Sequence, residues 1–351
     1  EATIYLDGQK TKVYIFCGRL CYSCDIFVQA YRAANSETFL EAQQLMFDFF
    51  GGVPKRVLFD NAKVAVKEGF GLYAKPQDKY LAFSAHYAFA TDFCNPARGN
   101  EKGLVENLVG YSRRNFFVPV PRVADIEELN NRLRNECLSY RQNHHVENRQ
   151  HPVMYLYQEE CKLLTPIPGY RYDTSKTVIA KVDDFSTVRF EKNNYSVPTR
   201  YLRKEVTVKG YANSISILNA GQVIATYPRI YGSGKTQYQL EHYIDLLERK
   251  PRSVFQAKPV KENVTQELLE WGRRLPGGNK EMVKLLRLCV DYGEEYILAI
   301  KHSLPGGIVP TVDMIRSYLH ESLPAHDIHL EKEIAVTPTD LTKYDKRFGV
   351  A

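Results

Sequence analysis

The chain has 351 residues, 44% hydrophobic and 25% charged, an ordinary soluble composition with length for more than one core. It contains no run of roughly 18 apolar residues, so no membrane-spanning helix and no membrane partner are expected. The net charge is +6, and its placement is uneven: residues 171–258 hold 15 Lys and Arg against 8 Asp and Glu, a balance of +7, which leaves −1 for the rest.

The chain opens on EATIYLDG, with no Met and within what reads as a strand, so a preceding part is expected to be missing. TIYLDGQKTKVYIF reads as a β-hairpin with Asp7-Gly8 at its turn, and LCYSCDIFVQAY as a third strand. Cys21 and Cys24 form a lone C-x-x-C near Cys17; with no second ligand pair, they read as reduced thiols of a cytosolic protein. Ser36 is placed to cap a helix whose apolar positions Phe39, Ala42, Met46 and Phe50 repeat at helical spacing, and Gly51-Gly52 ends it. RVLF at 56–59 reads as a buried strand that ends at Asp60-Asn61. Residues 67–79 read as a loop, and YLAFSAHYAFATDF as a helix or strand. The order β-β-β-α-β, then further elements, predicts an α/β layered domain.

In CNPARGNEKGLVENLVGY the Pro and Gly residues place a helix start near Asn100. Leu104, Val105, Leu108 and Val109 make its apolar stripe. Glu106 lies off that stripe, with Gly103 and Gly110 about one turn away on its own side, so there is room beside one carboxylate. Asp60 stands where a strand ends, the usual ligand edge of an open α/β sheet. On its own Asp-Asn is a turn, and Glu106 on its own is a solvated residue. Together they are the hard oxygen donors that Mg²⁺ takes, and paired ions of that kind serve phosphoryl chemistry. Asp25 and Asp92 have no assigned role, and Asp92 is the one expected nearer the site.

Residues 125–175 read as a helical, then Pro-rich connector, in which His144, His145 and His151 complete no metal spacing. STVRF, YSVPTRYL, EVTVKGY, SISIL and QVIATYP follow as short strands, with turns at Asn193-Asn194 and Asn219-Ala220-Gly221, and suggest a small antiparallel barrel over 176–235. The +7 segment includes it, the footprint of a polyanion-binding module. GSGKT at 232–236 imitates a P-loop, but Arg229 stands where that pattern needs Gly and the stretch follows strands, so no ATP binding is expected. A helical region over 236–330 and a tail over 331–351 complete the chain; LPGG at 275–278 and 304–307 follows a helix each time.

RVLFDNAKVAV, CNPARGNEKGLVENLVGYSRR and YSVPTRYL, in that order, resemble the IstA-type transposases of bacterial insertion sequences, within the wider DDE family that includes retroviral integrases. The resemblance implies an RNase H-like catalytic core over 1–124, Asp60 as the second and Glu106 as the third catalytic, metal-holding acid, and Mg²⁺ (Mn²⁺ as substitute) as cofactor. The first acid of the family would precede residue 1, and Asp7 does not replace it. The interval from Asp60 to Glu106 is longer than in retroviral integrases, and the 67–79 loop could absorb the difference. Arg98 and Lys102 match basic positions that face DNA, and Arg113, Arg114, Arg200, Arg203, Lys204 and Lys235 are further cations expected to do so. The implied function is cleavage at element ends and 3′-hydroxyl strand transfer into target DNA, in a bacterial cytoplasm, by a homo-oligomer on DNA that an AAA+ ATPase of IstB type assists. The rivals are a nuclease or resolvase that cuts without joining, and an inert DNA-binding fragment.

Overall fold

Alternating side chains make Ala2–Leu6 (β1) and Gln9–Arg19 (β2) an antiparallel pair, with Ile4 and Val13 fully buried on the inner face. The expected hairpin turn is present: Asp7 and Gly8 both take positive φ, 47° and 73°, as a type I′ turn requires. Ile26–Tyr31 (β3) pairs antiparallel with β2 and forms one edge of the sheet. The computed structural model describes residues 1–59, 66–68, 75–93, 99–147, 149–304 and 310–322, and only the backbone at 66–68, 75–76, 93, 99–106 and 320–322.

Ser36–Phe50 (α1) is capped by Asn35 rather than by Ser36, a shift of one residue from the sequence reading. Asn35 is still extended (φ −137°), and its side chain accepts from Thr38 N at 2.9 Å while Thr38 Oγ1 accepts from Asn35 N at 3.1 Å. The helix covers the sheet face that carries Phe16, Gly18 and Phe27: Phe39 meets Phe16 with ring centroids 5.9 Å apart, and Phe49 meets Phe27 at 5.5 Å. Gly18 lets this happen, because a Cβ there would overlap Met46 Sδ.

Arg56–Phe59 (β4) is followed by Val66–Glu68 (β5) and Lys75–Pro76 (β6), an antiparallel pair that overlaps the 67–79 stretch expected to be a loop. Next come Asp78–His86 (α2), Ala90–Phe93 (β7), Gly99–Asn115 (α3) and Arg122–Val123 (β8). β7 pairs parallel with β4, and β8 parallel with β1. The expectation that β4 is buried holds for only one of its faces: Phe59 is buried, but Arg56 and Leu58 are exposed. A run of four apolar or long side chains does not say whether both faces of the strand are covered. α3 starts one residue before the predicted Asn100 and packs on the other face of the sheet from α1, since Ser112 hydrogen-bonds the Cys17 thiol of β2. The result is helix, sheet and helix in layers.

Ile126–Asn143 (α4) lies along β3, and Asn130 bonds its edge twice, donating to Ala30 O at 3.0 Å and accepting from Ala30 N at 2.8 Å. Val153–Glu160 (α5) follows. Seven short strands come next: Lys176–Lys181 (β9), Thr187–Phe190 (β10), Asn193–Ser196 (β11), Glu205–Gly210 (β12), Ser214–Asn219 (β13), Gln222–Pro228 (β14) and Thr236–Gln237 (β15). They form a four-stranded antiparallel sheet, β14-β13-β12-β9, and a three-stranded sheet, β10-β11-β15, around one core that includes Val188, Tyr195, Val208 and Ile217. The sequence reading finds five of these strands. It places a turn at Asn193-Asn194, where the structure has β11; the turn lies just before it, with Glu191 at φ 54°. The turn between β13 and β14 is where it was expected, with Ala220 and Gly221 at φ 49° and 81°.

The chain divides into two compact units, Glu1–Gln237 and Tyr238–Ala351. The second is helical: Ile244–Arg249 (α6), Lys258–Asn263 (α7), Gln266–Gly272 (α8), Gly278–Tyr292 (α9), Glu294–Ser303 (α10) and Val312–Ser322 (α11). Its core gathers Trp271, Met282, Leu285, Leu286, Ile297 and Ile315. The first LPGG closes α8 and opens α9, with Gly278 at φ 59°; the second falls in part outside the described residues. No helix among the described residues is long and apolar enough to cross a membrane.

Candidate functional site

β4 delivers the chain to position 60. Its last residue, Phe59, is wedged between rings of α1 and α2, with centroids 5.5 Å from Phe39 and 5.4 Å from Tyr80. Tyr80 is itself fixed, donating its hydroxyl to Gln43 Oε1 at 3.0 Å. β7 runs parallel to β4 in register, with Phe59 opposite Phe93, so both strands end at the same edge. Asp60 itself and Arg98 lie outside the described residues. Glu106 and Lys102 lie in the first turns of α3, and their side chains also fall outside the description.

The described part of α3 shows how the helix is held. Leu108 and Ser112 are buried, and Ser112 Oγ donates to Leu108 O at 2.8 Å. Burial pushes the Cys17 thiol up to about 11, so it stays neutral beside Ser112. Arg113 and Arg114 are exposed in the last turn. A Cβ at Gly110 would meet the guanidinium of Arg114 at 3.2 Å, so that glycine leaves room for Arg114 to lie along the helix.

Asp92 and Asp25, the acids left without a role by the sequence, are occupied elsewhere. Asp92 pairs with Arg56 at 3.1 Å on an exposed surface. Asp25 is fully buried and holds Arg141 at 2.8 Å and 2.7 Å, while the Arg141 guanidinium stacks on Phe49 at 4.3 Å and Tyr157 at 3.9 Å. This pair ties β3 to α4 and was not legible in sequence, since its partners are 116 residues apart. Among the described residues no group of three or more His, Cys, Asp and Glu could hold a metal ion.

The remaining expected cations fall into two groups. Arg200, Arg203 and Lys204 share the loop between β11 and β12, where Arg200 and Lys204 lie 5.1 and 5.6 Å from the Tyr201 ring centroid. Arg203 is engaged, its Nε donating to Asp184 Oδ1 at 2.8 Å. Lys235 is at the other end of β11, where GSGKT runs into β15 and opens no helix. Arg229, buried, sits between Glu191 at 3.3 Å and Glu37 at 3.7 Å and joins the β sheets to the start of α1.

Residues 167–239 match the family model described as Mu transposase, C-terminal domain. A transposase of Aminobacter aminovorans is 30% identical over 324 residues, 90% of this chain and 63% of that protein. The transposase for insertion sequences IS1326/IS1353 of Pseudomonas aeruginosa is 30% identical over 354 residues, 96% of this chain and 69% of that protein. The transposase for insertion sequence element IS21 of Pseudomonas aeruginosa is 26% identical over 263 residues, 73% of this chain and 67% of that protein. The chain thus spans about two thirds of the length of these relatives. A chain in the structure of the simian T-cell lymphotropic virus intasome in complex with PP2A regulatory subunit B56 gamma is 13% identical, covers 65% of this chain and 73% of that one, and has a TM-score of 0.36, too low to argue from. On the identity and coverage of the IS1326/IS1353 relative, the chain belongs to the insertion-sequence transposases.

Proposed function

We propose that the chain carries the catalytic part of a DDE-type transposase, in which the layered first unit is an RNase H-like core and Asp60 and Glu106 are catalytic acids. The observation that carries this reading is the 30% identity to the IS1326/IS1353 transposase along 96% of the chain. The anchored strand end at Phe59 supports it, because Phe59 is the residue that precedes Asp60 in the chain. Carboxylates of Asp60 and Glu106 are donors of the kind a hard divalent cation takes, and Mg²⁺ bound there would supply charge stabilisation for in-line displacement at a phosphodiester. The protein's own share is to place groups: the acids at the strand edge and on α3, and the cations of α3 and of the β segment against DNA phosphates. A homo-oligomer on DNA and an AAA+ ATPase partner of IstB type, within a bacterial cytoplasm, complete the proposal.

The test is strand transfer of pre-cut element ends into plasmid DNA with Mg²⁺, using a protein with its upstream residues, beside its Asp60→Asn and Glu106→Gln forms. Joining by the parent and loss in both variants, with melting and DNA affinity retained, is the expected result. Joining that survives either substitution would remove that residue from the site. Cleavage by the parent without joining would favour a nuclease.

A further inference from the structure

The β segment that begins at Lys176 is held to the α/β layers at two places. At its root, Lys79 of α2 donates to Thr174 O at 2.9 Å and to Ser175 O at 2.8 Å, just before β9. A body held at one place can pivot. The second hold is the start of α1, which receives the turn between β12 and β13 and the residues after β14. Ala212, fully buried, packs with Tyr31 and Ala42. Glu41 hydrogen-bonds the Ala212 main chain, and Tyr231 bonds both Ala212 O and the Asn35 side chain. A polar cleft of about 460 Å³ is lined by residues of both holds, Lys79 and Ser175 from the first, Asn35 and Glu37 from the second.

Arg229 is the cation of the second hold, its side chain 1% exposed. Nη1 donates to Tyr211 O at 2.6 Å and lies 3.7 Å from Glu37 Oε2, while Nη2 donates to Glu191 Oε2 at 3.3 Å. The Phe190 and Tyr231 rings border the guanidinium, with centroids 5.4 and 5.1 Å away. Tyr211, Glu191 and both rings belong to the β segment, whereas Glu37 belongs to α1. A planar fork bonded in fixed directions selects one orientation where apolar contact alone would tolerate several.

Glu37 stands two residues before Phe39 on α1. Phe39 packs on Phe59, the neighbour in the chain of Asp60, with centroids 5.5 Å apart. One helix thus braces the strand before a proposed catalytic acid and also receives the segment proposed to grip DNA. We propose that Arg229 is a positioning residue of strand transfer: it fixes the bearing of the β segment on the α/β layers, and so the placement of the DNA that the segment holds. This rests on the transposase reading. Loss of Arg229 leaves the exposed cations in place, so bound DNA is kept but reacts slowly; a misplacement near 1 Å lowers rate by about 100-fold.

The test uses the protein with its upstream residues and the R229M and R229M/E37Q forms. R229M strands the buried Glu37 charge, whereas the double variant removes both charges and keeps the fold open to measurement. V208A, a cavity in the core of the same segment, controls for lost stability. Each form is measured for melting, for duplex affinity without metal, for single-turnover joining at saturating DNA with Mg²⁺, and for hydrogen exchange over residues 208–214. In R229M/E37Q the expected result is unchanged affinity, joining lower by about 100-fold and faster exchange at 208–214, while V208A loses joining only in step with its folded fraction. Joining that is kept, joining that falls alike in V208A, or exchange equal to the parent's would overturn the positioning role and leave the transposase reading standing. A parent that binds duplex and joins nothing would overturn both.

Discussion

Phe59 and Tyr80 meet edge to face, ring centroids 5.4 Å apart and planes at 86°, and the residue after Phe59 is Asp60. The aromatic contact thus fixes the last residue of β4, the neighbour in the chain of a proposed catalytic acid. Phe59→Leu keeps an apolar side chain of similar size and should cost less than about 1.5 kcal/mol. A displacement of the acid near 1 Å lowers rate by about 100-fold, so single-turnover strand transfer should fall far more than stability does. Urea melts beside joining assays would check this, and a joining loss no larger than the stability loss predicts would sink it.

Asp25 gives a pH signature. It is fully buried, its Oδ1 has no partner among the described residues, and burial pushes it up to about 6 in spite of Arg141. The folded state therefore favours the protonated form. Its stabilising contribution is full below the usual carboxylate value of about 4 and is lost as pH rises through about 6. Relative to Asp25→Asn, the parent should lose on the order of 2–3 kcal/mol between about pH 4 and pH 7, read from denaturant midpoints at each pH. Parallel curves for the two proteins would refute the shift. Arg141→Ala, which leaves the acid buried alone, should cost about 3–5 kcal/mol.

Asn193 makes a prediction of unusual sign. Ala at this position loses hydrogen bonds and should cost about 2 kcal/mol. Asp is closer in shape, but it would face the carbonyls of Ile230 and Gly232 with a carboxylate and can donate to neither. Asn193→Asp should therefore melt below Asn193→Ala at neutral pH. The reverse order would show that the amide donors matter little.

Gly18 and Met46 should behave as one unit. Gly18→Ala forces Met46 aside and should cost about 1–3 kcal/mol, whereas Gly18→Ala made in a Met46→Ala background should cost much less. Additive losses in that double-mutant cycle would mean that the close approach is not what requires glycine.

Much of the fold was legible because its signals are local. Asp7-Gly8 dictates its own turn, and the apolar spacing of α8 to α11 needs only neighbours three or four residues away. What was not legible depends on distant partners. Asn193-Asn194 suits a turn as well as a strand, and it is a strand because a loop 37 to 42 residues later folds onto Asn193. β9 was missed since KTVIAK shows no strict alternation, and its pairing with β12 decides it. Of the site, the strand before Asp60 and the helix bearing Glu106 could be read from sequence. That Phe59 is clamped by rings from two helices, and that Arg114 lies over Gly110, could not, because neither contact leaves a pattern in the chain.

Asn130 has one further consequence. By bonding both the N–H and the C=O of Ala30, it fills one of the outward hydrogen-bonding pairs at which another strand could add to β3. An edge left open would act as a template on which copies of the chain could stack into a continuous ladder. With that pair taken by an amide of α4, a strand of a second copy finds no free backbone partner at Ala30, and a ladder extended along β3 would be interrupted there.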